Sequence, residues 1–188
     1  MNILLYFLGS YIIGNVLTGY IYVKLFHHTD IQKNGSGNPG ARNAGRLYGR
    51  KAFVVTFLGD ALKGSLVILI GRALHFADIE LLIGLALAVL GHIKPFFFTF
   101  KGGKGISTFI GGILTFQPLL APIIVVGFLL IYPFTKSFTL AGLASICLIP
   151  VSVTYMTNEL YNLLVLSFMI LMLILAHSEN LFKKLKKR

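Results

Sequence analysis

Long apolar runs separated by short polar stretches restrict this chain more than any other feature. Residues 2–23, 52–71, 81–98, 106–133, 138–155 and 160–176 are apolar over lengths close to or beyond those needed to cross a hydrocarbon core. Lipid offers no partner to a backbone N–H or C=O, so such runs must pair their own backbone groups as helices. At 56% hydrophobic and 12% charged, the composition excludes a soluble globular domain. The expected fold class is all-α, a polytopic membrane helix bundle, with residues 1–188 forming a single domain. The first run lacks a basic leader and a small-residue cleavage site, so it reads as a retained helix rather than a signal peptide. The one cysteine, Cys147, lies in an apolar run. It forbids an intrachain disulfide or a cysteine metal cluster and is expected to be a small buried side chain.

Charge decides how many times the chain crosses. The net charge of +11 raises nucleic acid as a partner, but the basic residues fall between or after the apolar runs, where membrane orientation explains them. No nucleic-acid partner is expected. The run 106–133 would be roughly 42 Å long as one helix, more than the bilayer core requires. Gln117-Pro118 and Pro122 suggest a break within it. If the run splits and the N-terminus is outside, the cytoplasmic side receives every one of the 17 lysines and arginines except Lys63, inside a span, and Arg72. A single helix there would put the lysine-rich tail outside, against the positive-inside bias. Seven transmembrane helices are therefore expected, with the N-terminus outside and the C-terminus cytoplasmic.

Three polar stretches then meet the cytoplasmic surface. The sequence F-K-G-G-K-G-I-S-T at 100–108 sets Lys101 and Lys104 among Gly102, Gly103 and Gly105, just before an apolar run. Glycines let backbone N–H groups turn toward a ligand, a helix starting near Ile106 adds its positive end, and Lys104 supplies a full charge. A nucleotide-binding P-loop is excluded, because Phe98 and Gly105 stand where it needs glycine and Ser or Thr. A tight turn whose lysines mark the cytoplasmic side is the other reading of these residues. The stretch G-S-G-N-P-G-A-R-N at 35–43 offers backbone and side-chain donors, and Arg46 follows as a bidentate phosphate ligand; a glycine-rich turn with interfacial arginines fits the same residues. His177 and Asn180, three apart, share a face if the last helix continues, one able to move a proton and the other to bond hydroxyls. Asp60 and Lys63 have the same spacing inside a span and read as a structural ion pair. His27, His28 and His75 read as interfacial loop residues.

Taken together, S-G-N-P-G-A-R-N at 36–43, G-D-A-L-K-G at 59–64, G-H-I-K-P-F-F-F-T-F-K-G-G-K-G-I-S-T at 91–108 and H-S-E-N-L at 177–181 resemble the bacterial integral-membrane acyl-phosphate:glycerol-3-phosphate acyltransferases. The resemblance covers nearly the whole chain, and it implies a seven-helix bundle in the bacterial cytoplasmic (inner) membrane with its active site facing the cytoplasm. It implies transfer of an acyl chain from acyl phosphate to the sn-1 hydroxyl of glycerol 3-phosphate, giving lysophosphatidic acid and phosphate in the first step of phospholipid synthesis. Neither coenzyme A nor acyl carrier protein takes part, and no cofactor, metal or obligate protein partner is implied; membrane lipid is the surrounding medium. Carried over by residue, it makes Ser36, Arg46 and Lys104 phosphate ligands, and His177, Lys104 and Asn180 the catalytic set, with His177 and Asn180 on the glycerol hydroxyls. Gly37, Asn38, Asn43, Lys101, Gly102, Gly103 and Thr108 would shape the pocket. The chain departs from the family's usual pattern at Arg42, where threonine is common, at Ser178, where a basic residue is common, and in its short lysine-rich tail; the first departure bears on phosphate affinity.

The chemistry suits these residues. Acyl phosphate is an activated mixed anhydride, so an enzyme must chiefly place the hydroxyl on the carbonyl and stabilise departing phosphate. Either His177 or the substrate phosphate can take the hydroxyl proton. The H-x-x-x-x-D pair of thioester-using acyltransferases is absent after each of His27, His28, His75, His92 and His177. CDP-alcohol phosphotransferases need an aspartate cluster, whereas Asp30, Asp60 and Asp78 lie far apart. A transporter for an anionic solute would gather its polar groups near the midplane; here they gather at one interface.

Overall fold

The computed structural model describes residues 2–185, with side chains described from Asn2 to Ser178. Among the described residues all regular structure is helical. The helices are α1 (Ile3–Gly14), α2 (Thr18–His27), α3 (Ala41–Ala73), α4 (Asp78–Ile93), α5 (Ile106–Phe116), α6 (Leu120–Thr135), α7 (Phe138–Ile146), α8 (Ile149–Thr157) and α9 (Leu160–Leu185), with short 3-10 turns at Ile31–Lys33 and Phe96–Phe98. Five stretches are long and apolar enough to cross a membrane: Ile3–His27, Ala41–Ala73, Asp78–Phe98, Phe138–Thr157 and Leu160–Ser178; α5 and α6 are shorter apolar helices. The chain is a multi-pass membrane protein.

It divides into two compact units, residues 1–115 and 116–188. In the first, α1 packs on α4, and α3 packs on α2 and α4. α3 buries Thr56, Asp60, Lys63 and Gly64 beside Ala52, Val67 and Ile68, while Leu58, Leu62, Leu66 and Leu69 are exposed. A bilayer makes this arrangement favourable, because leucine gains nothing by leaving lipid and ionisable groups must avoid it. α5 crosses α3 closely enough that a Cβ at Gly64 would collide with the Thr108 carbonyl, and Ser65 Oγ donates to Gly111 O at 2.9 Å. Ile31, Val23, Ala44 and Ala52 form a small core with Tyr22 that anchors the polar connection between α2 and α3. In the second unit α6 packs on α7 and α8, and α9 on α7 and α8.

The helix boundaries differ from the sequence reading in four places. The first run is broken at residues 15–17 and resumes to His27. The polar connection is shorter than expected, since α3 begins at Ala41, with a kink at Gly49 (φ 85°). The run 138–155 is broken between α7 and α8, and Cys147, expected to be buried, is exposed at that break. Its thiol donates to Leu143 O at 3.2 Å, so a lipid-facing position leaves no polar group unpaired. The last helix continues beyond residue 176 to Leu185. The run 106–133 does split, with α5 ending at Phe116 and α6 starting at Leu120.

Candidate functional site

The connection between α2 and α3 is held open by asparagines. Asp30 accepts from Gln32 N–H at 2.9 Å, starting the 3-10 turn, and the Asn34 carbonyl accepts from Gly37 N–H at 3.0 Å. Gly35 and Gly37 carry the chain through φ of 62° and 70°. Asn43, one of the first residues of α3, is the centre of this arrangement. Its Oδ1 accepts from Ser36 N–H at 3.1 Å and from Arg46 Nη2 at 2.8 Å, while its Nδ2 donates to Asn34 O at 3.1 Å. Asn38 Oδ1 accepts from Gly40 N–H at 2.7 Å, turning the chain into the helix. Asn43 is buried, whereas Ser36 and Arg46 are exposed and Asn38 is half-buried. One amide thus fixes the backbone at Ser36 and the guanidinium of Arg46, next to the positive end of α3.

The second polar stretch is laid against the end of α4. After Lys94 the chain makes its 3-10 turn, Phe100 N–H donates to Pro95 O at 2.9 Å, and the strand of loop returns so that Gly102 N–H donates to Ile93 O at 3.2 Å and Gly103 N–H to His92 O at 2.9 Å. Gly105 (φ 80°) then turns the backbone into α5. Lys104 is half-buried and Lys101 exposed. The two stretches adjoin: Gln32 Nε2 donates to Lys101 O at 2.6 Å, and Tyr20 stacks edge-on against Phe98 with ring centroids 4.8 Å apart. Ser36, Asn38, Asn43 and Arg46 therefore form one cluster, linked through Gln32 to the loop carrying Lys101, Gly102, Gly103 and Lys104. Thr108 is buried in the first turn of α5 with its carbonyl against Gly64, at the crossing with α3.

His177 belongs to the second unit. It is buried on α9, and its Nδ1 donates to Leu173 O at 2.8 Å. A carbonyl can only accept, so Nδ1 carries the hydrogen and a neutral ring has its lone pair on Nε2. α9 is helical through residue 180, so His177 and Asn180 are three apart on one helix; the Asn180 side chain lies outside the described residues. Among the described residues no group of three or more His, Cys, Asp or Glu is placed to hold a metal ion.

Two contributors escaped the sequence reading. Gln32 gave no signal, since a glutamine in a polar connection is unremarkable until its partner is known. His92 did: it is an ionisable residue within an apolar run, and it is buried.

Two polar connections, one running into Arg42 and Arg46 of α3 and the other carrying Lys101 and Lys104 into α5, are borne by a multi-pass membrane bundle. The family described as glycerol-3-phosphate acyltransferase matches residues 4–187. Glycerol-3-phosphate acyltransferase 1 of Bacillus thuringiensis subsp. konkukian is 46% identical over 171 residues, covering 91% of this chain and 93% of the relative. That of Streptococcus thermophilus is 35% identical over 189 residues, covering 96% and 89%. The crystal structure of PlsY, an integral membrane glycerol 3-phosphate acyltransferase, in its glycerol 3-phosphate form has TM-score 0.88 and 30% identity, covering 99% of this chain and 93% of that one. Its lysophosphatidic acid form has TM-score 0.85 and 29% identity with the same coverage. The chain belongs to the glycerol-3-phosphate acyltransferase family, and it is a membrane-embedded acyltransferase of phospholipid biosynthesis.

Asn43→Ala removes the acceptor shared by Ser36 N–H and Arg46. The lost bonds correspond to about 1–3 kcal/mol where a buried partner is stranded, so amide hydrogen exchange across residues 34–46 should accelerate by about tenfold or more. Unchanged exchange there would show that Asn43 does not organise the stretch.

Proposed function

We propose that the enzyme transfers an acyl chain from acyl phosphate to the sn-1 hydroxyl of glycerol 3-phosphate, releasing phosphate and forming lysophosphatidic acid. The observation that carries this is the junction of the two loops at Gln32 and Lys101. It gathers the Ser36 and Arg46 donors with the Lys104 loop, in a chain whose fold matches that of an acyltransferase crystallised in its glycerol 3-phosphate form. Ser36, Arg46 and Lys104 bind phosphate, and the backbone around Gly37, Asn38, Asn43, Lys101, Gly102 and Gly103, with Thr108 in the first turn of α5, shapes their pocket. His177 and Asn180 hold the glycerol hydroxyls. The hydroxyl oxygen attacks the acyl carbonyl carbon, the resulting oxyanion collapses, and the bond from carbonyl carbon to the phosphate oxygen breaks with its electron pair leaving on phosphate. Fixed positive groups act where this charge develops, without reorganising during the reaction. The proton of the hydroxyl has two acceptors in this scheme, Nε2 of His177 and an oxygen of the departing phosphate.

The whole chain acts as one acyltransferase domain. It crosses the bacterial cytoplasmic membrane seven times, with α5 and α6 as the shortened pair, the N-terminus outside, and the loops of the site and the C-terminal tail in the cytoplasm. The supporting fact is charge: this is the arrangement that leaves only Arg72 of the basic loop residues outside.

Cysteine labelling after replacing Cys147 should modify position 36 and the tail only in opened cells; a tail labelled from outside intact cells would overturn the seven-span arrangement. Purified protein should acylate glycerol 3-phosphate from acyl phosphate and not from acyl-coenzyme A, and equal turnover of both donors would reject the proposed chemistry. Lys104→Ala should be nearly inactive, since stripping one partner from a desolvated charge pair costs about 2–5 kcal/mol. His177→Asn separates the two proton acceptors. If Nε2 is the base, kcat falls by roughly 100-fold with glycerol 3-phosphate affinity little changed; if phosphate is the base, affinity falls and turnover persists. Wild-type rates in both variants would remove the proposed site.

A further inference from the structure

Asp60, Lys63 and His92 are buried together in the first unit, at 1%, 6% and 3% exposure, and the reaction above uses none of them. Lys63 Nζ lies 3.0 Å from Asp60 Oδ1, 2.5 Å from Val16 O, 3.1 Å from Gly14 O and 2.7 Å from His92 Nδ1. Asp60 Oδ1 and the two carbonyls can only accept, which suits an ammonium with three N–H groups and no lone pair. The contact to His92 therefore runs from Nζ–H to the Nδ1 lone pair, and the ring hydrogen sits on Nε2. Asp60 and the two carbonyls would by themselves match the three N–H groups, so Nδ1 shares one of these hydrogens as a fourth acceptor. His92 Nδ1 also lies 3.7 Å from Asp60 Oδ1, so the ring closes a buried trio that the ion pair and the helix break do not by themselves require.

The other edge of the ring faces the glycine loop. Gly103 N–H donates to the His92 carbonyl at 2.9 Å, and its Cα comes so close to the ring that a Cβ would collide with Nε2 and lie 2.7 Å from Cε1 and 2.9 Å from Cδ2. The imidazole is thus gripped on its Nδ1 side by a cation anchored to α3 and to the α1–α2 break, and it bears the glycine loop on its Nε2 side. Lys104 is the next residue of that loop. We propose that Asp60, Lys63 and His92 are positioning residues, which set the Gly102-Gly103-Lys104 backbone through the fixed His92 ring. This rests on the assignment of Lys104 to phosphate and adds what holds it in place. Turning the ring away from Lys63 would either push Gly103 or open a void beneath it, and a 1 Å misplacement of a reacting group can lower rates by about 100-fold.

Lys63→Met would also strand two carbonyls and Asp60, so the decisive variants leave that pair intact. His92→Asn keeps an oxygen acceptor near the Nδ1 position and removes the ring edge under Gly103; Gly103→Ala adds a methyl against that edge. Each single variant should raise KM for glycerol 3-phosphate by roughly tenfold or more in folded, inserted protein. The double variant, whose methyl fills the vacated space, should bind better than Gly103→Ala alone. A nitroxide on Lys101→Cys in a Cys147→Ser background should become more mobile in His92→Asn and regain order in the double variant. Losses that simply multiply, or a lowered thermal midpoint with KM and label mobility unchanged, would overturn the proposal. An active Lys104→Ala would remove the phosphate assignment while leaving the label coupling intact, so the two fail separately.

Discussion

A single ammonium inside the bilayer underlies the first unit. α1 stops at Gly14 and α2 does not begin until Thr18, which leaves backbone carbonyls open at membrane depth. An unsatisfied backbone group in hydrocarbon costs several kcal/mol, and an unpaired lysine at the centre of a span about 2.5–3.5 kcal/mol on insertion scales. Each problem answers the other, because Lys63 donates to both Gly14 O and Val16 O. Asp60 neutralises the charge and also accepts from Thr18 N–H at 3.4 Å, at the start of α2. Neither residue would be tolerable alone.

That junction lets the first run change direction without exposing its backbone, and the site loops follow from it. α2 leads into the connection whose Ile31 is fully buried, and α4, held to α1 by Tyr11 Oη donating to Lys94 O at 2.7 Å, ends where the glycine loop folds back. Both loops therefore spring from fixed helix ends. The N–H groups of Ser36, Gly37, Gly40, Gly102 and Gly103 are spent on internal hydrogen bonds, which fix the backbone from which the side chains extend. Lys104 and Arg46 add full charge to a frame that is already set.

How much of this was legible in the sequence depended on the range of the interactions involved. The split at residues 117–119 could be inferred because Gln117-Pro118 is a local breaker and charge parity demanded it. The break at 147–148 is followed by Pro150 in the first turn of α8, a local cue that is ambiguous within an apolar run; the break at 15–17 has no proline and is stabilised by Lys63, 47 residues after Val16. Three candidate stretches stood out as polar interruptions of apolar runs, with residue types suited to anion chemistry. The role of Asn43 did not, since an asparagine becomes a shared acceptor only once the turns at Gly35 and Gly37 bring Ser36 N–H and Arg46 to it. Asp60 and Lys63 were readable as an ion pair from their spacing. Their third partner was not, because His92 meets them across the α3–α4 packing.

The broken first span bears on the class of protein as well. Discontinuous helices near the midplane are how many transporters coordinate ions or solutes, through unwound carbonyls and half-helix ends facing a cavity. Here the corresponding carbonyls are directed at a lysine of the same chain, and its charge is balanced by an aspartate that is 1% exposed. A fixed protein cation holds the place that a transported cation would need, so the break is filled as soon as the chain folds. The groups still presented outward are Ser36, exposed on the connecting loop, and Arg46, exposed in the first turns of α3. A chain whose Gly14 and Val16 carbonyls at the helix break are taken up by internal bonds, and whose exposed Ser36 and Arg46 lie at the end of a span, lacks at that break the open midplane site that passage through the bilayer requires.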